Sequence, residues 1–239
     1  MNKIGLLLIG LVVSVSTIAQ TSTDSYSAWE ATVGAHKGHV LATASNINYV
    51  NDAKFKVGVA LRLNTFRAKN KKFATAPAIL TSGAKGPQAM FKPDILENID
   101  TLYIPNITTH SVNLAVFLEY SLSNNVAVGF DIDVLGFTLG NDFLVTLQEP
   151  LGDTKTVQAK PTRFNLLLVS DNDIGTLNSE LYGRFRPDNS RFYGKAGVSF
   201  YFSELKTVRK LWLDNDRFRY KTPLTPLVGV GYITTNPLF

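Results

Sequence analysis

The chain has 239 residues, with 24 Lys and Arg against 19 Asp and Glu, a formal net charge of +5, and no cysteine. The missing thiols exclude a disulfide framework, a thiolate metal site and a lipoprotein anchor. The mild basicity, spread without any block of like charge, argues against a nucleic-acid partner.

Residues 1–19 have the order of a secretory signal: Lys3, an apolar run over 4–13, then Thr17-Ile18-Ala19 before polar Gln20. Cleavage is expected after Ala19. The run is too short for a comfortable spanning helix, and no later stretch offers about eighteen uninterrupted apolar residues. Residues 20–239 then form one domain, because no linker or break in composition divides them.

Beyond the signal, the dominant pattern is alternation with a period of two, which marks strands whose two faces differ chemically. A first strand is predicted over 27–35. A hairpin follows from 39–50 to 54–66 through Asn51-Asp52-Ala53, and in its second arm Phe55, Val57, Val59, Leu61 and Leu63 alternate with Lys56, Gly58, Ala60 and Arg62. In 111–122, Val112, Leu114, Val116, Leu118 and Tyr120 oppose Ser111, Asn113, Ala115, Phe117 and Glu119. Ser123-Asn124-Asn125 turns that strand into 126–134, where Val126, Val128, Phe130 and Ile132 oppose Ala127, Gly129, Asp131 and Asp133. Two more strands over 176–186 and 191–203 flank Pro187-Asp188-Asn189-Ser190, and the last covers 225–234.

The connections set the topology. Tight turns alternate with long loops over about 67–106, 140–174 and 204–222, which is the rule for a barrel with short periplasmic turns and long external loops. The first external connection, at His36-Lys37-Gly38, breaks the rule and must be tight. The predicted fold is therefore all-β: an eight-stranded antiparallel up-and-down transmembrane β-barrel. The apolar face carries an aromatic at the periplasmic end of seven strands, Trp29, Tyr49, Phe55, Tyr120, Phe185, Phe192 and Tyr232, as a membrane girdle requires. A soluble lipocalin-like barrel, the competing architecture, needs no such ring.

Charge decides which face meets lipid. Glu30, Glu119, Asp131, Asp133 and Glu180, with Lys54, Lys56, Arg62, Arg184 and Lys195, all fall on the polar face. Charges near mid-strand cost a few kcal/mol against hydrocarbon and are tolerated opposite one another inside. An eight-stranded barrel is just wide enough for side chains to fill it, so the prediction is a lumen plugged by ion pairs. Gly58, Gly129, Gly197, Gly229 and Gly231 on that face would make room for the long basic chains or relieve curvature.

With the signal ending Thr17-Ile18-Ala19-Gln20, the hairpin Leu118-Glu119-Tyr120-Ser121-Leu122-Ser123-Asn124-Asn125 and the terminal Phe239, the chain resembles the small outer-membrane barrels of Gram-negative bacteria. The likeness is to the OmpA/OmpX-type and OmpW-like group, in a form typical of Bacteroidetes-like chains. It is architectural and spans 20–239. The resemblance implies residence in the outer membrane and insertion by the barrel-insertion machinery, which favours a terminal aromatic. The chain departs from the pattern at that end: Val228, Val230 and Tyr232 are out of step with Phe239, and Pro237 intervenes.

Chemistry is sparse. His36, His39 and His110 all belong to the external rim in this topology, and Ser111 follows His110, but neighbours along a strand point to opposite faces and cannot form a nucleophile and base pair. No nucleotide, hydrolase or zinc-protease motif occurs, and no cofactor is indicated. The loops carry Arg67, Lys69, Lys71, Lys72, Lys85 and Lys92, then Lys206, Arg209, Lys210, Arg217, Arg219 and Lys221, for which lipopolysaccharide phosphates are natural partners alongside the membrane lipids. Leu211-Trp212-Leu213 reads as a contact patch or as loop packing. The leading functional reading is a non-enzymatic barrel that stabilises the membrane or displays its loops. The alternatives are a channel for small or apolar solutes and a lipid A-modifying enzyme.

Overall fold

The computed structural model describes residues 24–52, 54–84, 91–148, 154–168 and 172–234. The proposed signal, Lys85, Pro237 and Phe239 lie outside them.

Among the described residues, runs of β-branched and aromatic residues with alternating polarity fold into twelve antiparallel strands joined in one sheet. They are β1 Asp24–His36, β2 His39–Asp52, β3 Phe55–Thr75, β4 Thr101–Ser121, β5 Val126–Leu139, β6 Phe143–Gln148, β7 Thr154–Pro161, β8 Phe164–Leu166, β9 Leu177–Phe185, β10 Phe192–Thr207, β11 Arg217–Lys221 and β12 Thr225–Thr234. Eight of them close a ring in the order β1, β2, β3, β4, β5, β9, β10, β12, with β12 returning to β1 through pairs such as Trp29 with Tyr232. Closure leaves no sheet edge in that ring, and an eight-stranded antiparallel up-and-down barrel results.

The β1–β2 connection is as tight as its length demands. Lys37 and Gly38 both take positive φ, 39° and 78°, which is the two-residue turn whose twist matches the flanking strands.

The long loops are not loops throughout, and the boundaries expected at 67 and 106 are corrected. β3 continues to Thr75 and β4 starts at Thr101, still paired with each other through Ala74 and Thr101. β4 then pairs with β6, β6 with β7, β7 with β10, β10 with β11, and β11 with β3. These contacts close a second, six-stranded ring stacked on the long-loop end of the first and sharing β3, β4 and β10 with it.

The alternation reverses where the two rings meet. On β3 the inward residues are Arg62, Asn64, Phe66 and Ala68, but farther on they are Lys71, Phe73 and Thr75; Lys69 and Asn70 are both exposed. On β4 the inward set changes from Leu102 and Ile104 to Ile107, Thr109 and Ser111, with Pro105 and Asn106 both exposed. Each strand carries one extra residue at the same level. Asn70 supplies the unusual backbone, at φ 53°, a region Asn enters more readily than most residues. Pro105 lacks the N–H that regular pairing there would use.

Candidate functional site: the filled lumen and its apolar belt

The outer face between the short turns and the ring junction is apolar. Trp29, Val33, Phe55, Val59, Leu61, Leu63, Leu114, Leu118, Val128, Phe130, Leu181, Val228 and Val230 are all exposed. From Phe55 to Leu63 is eight residue steps; at about 3.3 Å each and a tilt near 40° they rise about 20 Å, close to the apolar band of a membrane barrel. Aromatics border the belt. At the short-turn end, Trp29, Phe55, Tyr120, Phe185 and Phe192 face out, and Tyr232 is half-buried with its ring 5.0 Å from that of Phe192. At the other border Phe137 and Phe164 pack edge to face at 5.8 Å, with Phe200 also exposed.

Tyr49 does not belong to this girdle, and its outward assignment is corrected: it is buried inside with Ile47, Ala60 and Phe117. β2 offers weak contrast between its faces, since Val40, Ala42, Ala44, Asn46 and Asn48 oppose Leu41, Thr43, Ser45, Ile47 and Tyr49. The register with β3 decides instead, placing Tyr49 opposite inward-facing Gly58. Lys54 is the second correction. It sits exposed in the β2–β3 turn, before the strand begins, and so lies outside the lumen.

The remaining nine charges converge in the interior. At its centre Arg62, with no exposed surface, places Nη2 2.6 Å from Asp131 Oδ1 and Nη1 3.2 Å from Asp133 Oδ1. Its Nε donates to Ser45 Oγ at 3.3 Å, and the guanidinium lies over the Phe117 ring at 4.9 Å. Lys195 forms a second hub: Nζ stands 2.8 Å from Glu30, 3.0 Å from Asp131 and 2.7 Å from Glu180, and 3.8 Å from the Tyr182 ring centre. Asp131 thus bridges the two cations. Nearer the short turns, Glu119 Oε1 accepts from Lys56 at 3.0 Å and lies 2.6 Å from Arg184.

Neutral groups complete the network. Asp133 Oδ2 accepts from Asn64 and Asn113 side chains, at 3.0 and 2.7 Å, and from the Asn178 amide at 3.0 Å. Tyr193 Oη donates to Glu30 at 3.0 Å, and Asn178 Nδ2 to Glu180 at 2.8 Å. Such partners are needed, because buried charges are tolerated only when paired and hydrogen-bonded.

Sequence reasoning missed the tyrosines of this floor. Tyr49, Tyr182 and Tyr193 each lie opposite a glycine on the neighbouring strand, Gly58, Gly129 and Gly231. A Cβ at Gly129 or Gly231 would run into the facing tyrosine ring. Those glycines make room for rings rather than for basic chains. The readable signal was a Tyr alternating in step with the charged residues, as Tyr182 does between Glu180 and Arg184 and Tyr193 beside Lys195; the facing glycine follows from register alone.

Above the charges the interior becomes apolar. Leu41, Phe66, Phe73, Leu102, Ile104, Val145, Leu147, Leu205 and Phe218 form one buried cluster with Tyr201, and Leu211 packs against it. Glu204 brings two cations there, with Arg217 at 2.8 Å and Arg219 at 2.9 Å, and Lys71 Nζ lies 5.3 Å from the Tyr220 ring centre.

The histidines serve separate ends. His39 is buried, Nε2 2.8 Å from Thr225 Oγ1, with the His36 ring 6.2 Å away; His110 faces outward, 3.0 Å from Thr65 Oγ1. Ser111 is buried on the face opposite to His110. Among the described residues, the one trio of ligand types close enough to share an ion is Glu30, Asp131 and Glu180, and the Lys195 ammonium is already bound to all three.

No protein-family model matches the chain, and no curated protein matches it. Among solved structures, Neisserial surface protein A aligns over 87% of this chain and 96% of its own, at 8% identity and a TM-score of 0.35. The CymD monoaromatic hydrocarbon channel aligns over 95% and 92%, at 8% identity and a TM-score of 0.21.

Proposed function

We propose that the protein is a non-conducting, non-enzymatic barrel of a bacterial outer membrane, which holds its six-stranded second ring beyond the bilayer as a rigid display platform. Closed barrels and helices are the two ways a backbone crosses hydrocarbon with every polar group satisfied, and no described helix is long and apolar enough to do so. The short turns then face the periplasm and the second ring faces outward, the usual disposition of such barrels.

One observation carries the reading: the side chains of Arg62, Asp131, Asp133 and Lys195 have no exposed surface. At that level the lumen holds ion pairs in place of a water path. The apolar cluster above it adds a second barrier to ions.

Planar-bilayer recording on the full chain tests this. The expected trace has no steady openings at physiological salt. Steady openings that vanish on charge reversal at Arg62 or Asp131 would establish the alternative, a channel for small solutes. Membrane fractionation adds a second check, since recovery in the soluble fraction without detergent would remove the membrane assignment itself.

A further inference from the structure

The outer wall changes from apolar to cationic in one step above the belt. On β3 the outward series Val59, Leu61, Leu63 continues as Thr65, Arg67 and Lys69, because Phe66 and Ala68 face in. On β4 the outward residues past Val112 are His110, Thr108 and Asn106. β2 stops short at this level, so the Lys37-Gly38 turn leaves a step beside the taller β3 and β4.

That step is concave. A groove of about 680 Å³ is lined by Lys37, Val40, Arg67, Lys69, Asn106 and Thr108, among others, and none of its lining residues is acidic. Lys37, Arg67 and Lys69 make no ion pair with any described carboxylate, although Lys206 and Lys210, on exposed sites elsewhere, both do. Three unpaired cations around one concavity repel one another, and an anion seated among them removes that repulsion.

We propose that this groove binds the phosphorylated head group of an outer-leaflet glycolipid, resting on the outer-membrane reading above. Height and chemistry select the source of the phosphate. Val40 beside Arg67, and Leu63 and Leu61 below it on β3, are about half exposed and offer acyl chains an apolar wall, which a free phosphate would not use. Arg67 gives the planar donor fork suited to a phosphate, and Lys37 and Lys69 act as point charges. Asn106 and Thr108 supply amide and hydroxyl partners for sugar hydroxyls.

The test uses the full chain in detergent, with bound lipid counted by native mass spectrometry after incubation with diphosphoryl lipid A or its dephosphorylated form. The variant carries Lys37→Asn, Arg67→Gln and Lys69→Gln; Asn keeps the positive φ that position 37 requires. Wild type is expected to retain diphosphoryl lipid A about tenfold better than the variant. Both should hold the dephosphorylated form equally weakly. Equal retention of the diphosphoryl form by both proteins would overturn the site, and its complete displacement by inorganic phosphate would overturn the lipid as source. Flotation of both proteins with plain phosphatidylcholine vesicles separates the two levels: protein that floats but shows no preference sinks only the groove, whereas protein that does not float sinks the membrane reading with it.

Discussion

The two stacked rings solve the same packing problem with opposite materials. In the lower ring the outside is apolar and the inside holds five carboxylates and four cations; in the upper ring Phe73, Leu102, Ile104, Val145 and Leu147 fill the inside, while Lys69, Lys72 and Asn106 face out. β3 and β4 run through both, and on each the outer face is apolar at one level and polar at the other. On the outer-membrane reading proposed above, what each face carries is set by the medium it touches, and the switch, near Thr65 and His110, is where the bilayer border falls. The lower interior resists loss of Arg62 or Lys195, because each of these cations holds more than one buried carboxylate. The upper interior obeys ordinary core rules and tolerates shape-conserving apolar exchange.

The sharpest way to break this contrast is Arg62→Ala. It leaves Asp133 without a cation and Asp131 with Lys195 alone, and should destabilise the barrel by about 3–5 kcal/mol in urea unfolding from vesicles. A loss below about 1 kcal/mol would mean that water already reaches these carboxylates, and the sealed lumen would be wrong.

The position of the border is probed from outside. Leu61→Arg puts a charge into the belt and should cost about 2–4 kcal/mol. Thr108→Arg, outward on the neighbouring strand but above the border, should stay within about 0.5 kcal/mol. Equal costs at the two positions, measured by the same unfolding assay, would erase the border between the rings.

The smallest effect concerns the junction. Asn70→Ala forces a residue with a Cβ and no polar side chain into positive φ, and should cost about 1 kcal/mol; it also removes the Tyr103 Oη bond to Asn70 Oδ1 at 2.7 Å. Asn70→Gly keeps the backbone freedom and should recover most of that loss. If both variants unfold alike, the tyrosine contact and not the backbone holds the kink.

Much of this contrast was legible in the chain. Wherever a strand is strongly two-faced, as at 55–63, 112–122 and 126–133, the period of two fixed its identity, and charges such as Asp131 and Arg62 showed which face is inward. The extended β3 and β4 were hidden for a physical reason. At Asn70 and Pro105 the alternation slips by one residue just as apolar residues move from the outside to the inside, so the pattern seems to stop where it only inverts. Lys71 is displaced by that slip as well, turning inward to donate to the Lys37 carbonyl at 2.6 Å.

By itself, then, the sequence determined the eight strands of the closed ring, their turns and the sign of most faces, because an apolar exterior and a charged interior leave opposite periodic marks on each strand. Only the tertiary structure decided what depends on pairing across strands. It turned Tyr49 inward over Gly58, gathered Glu30, Asp131 and Glu180 on one ammonium, and closed the upper ring from segments distant in the chain. A strand's own periodicity carries no register, and register is what brings those side chains within reach of one another.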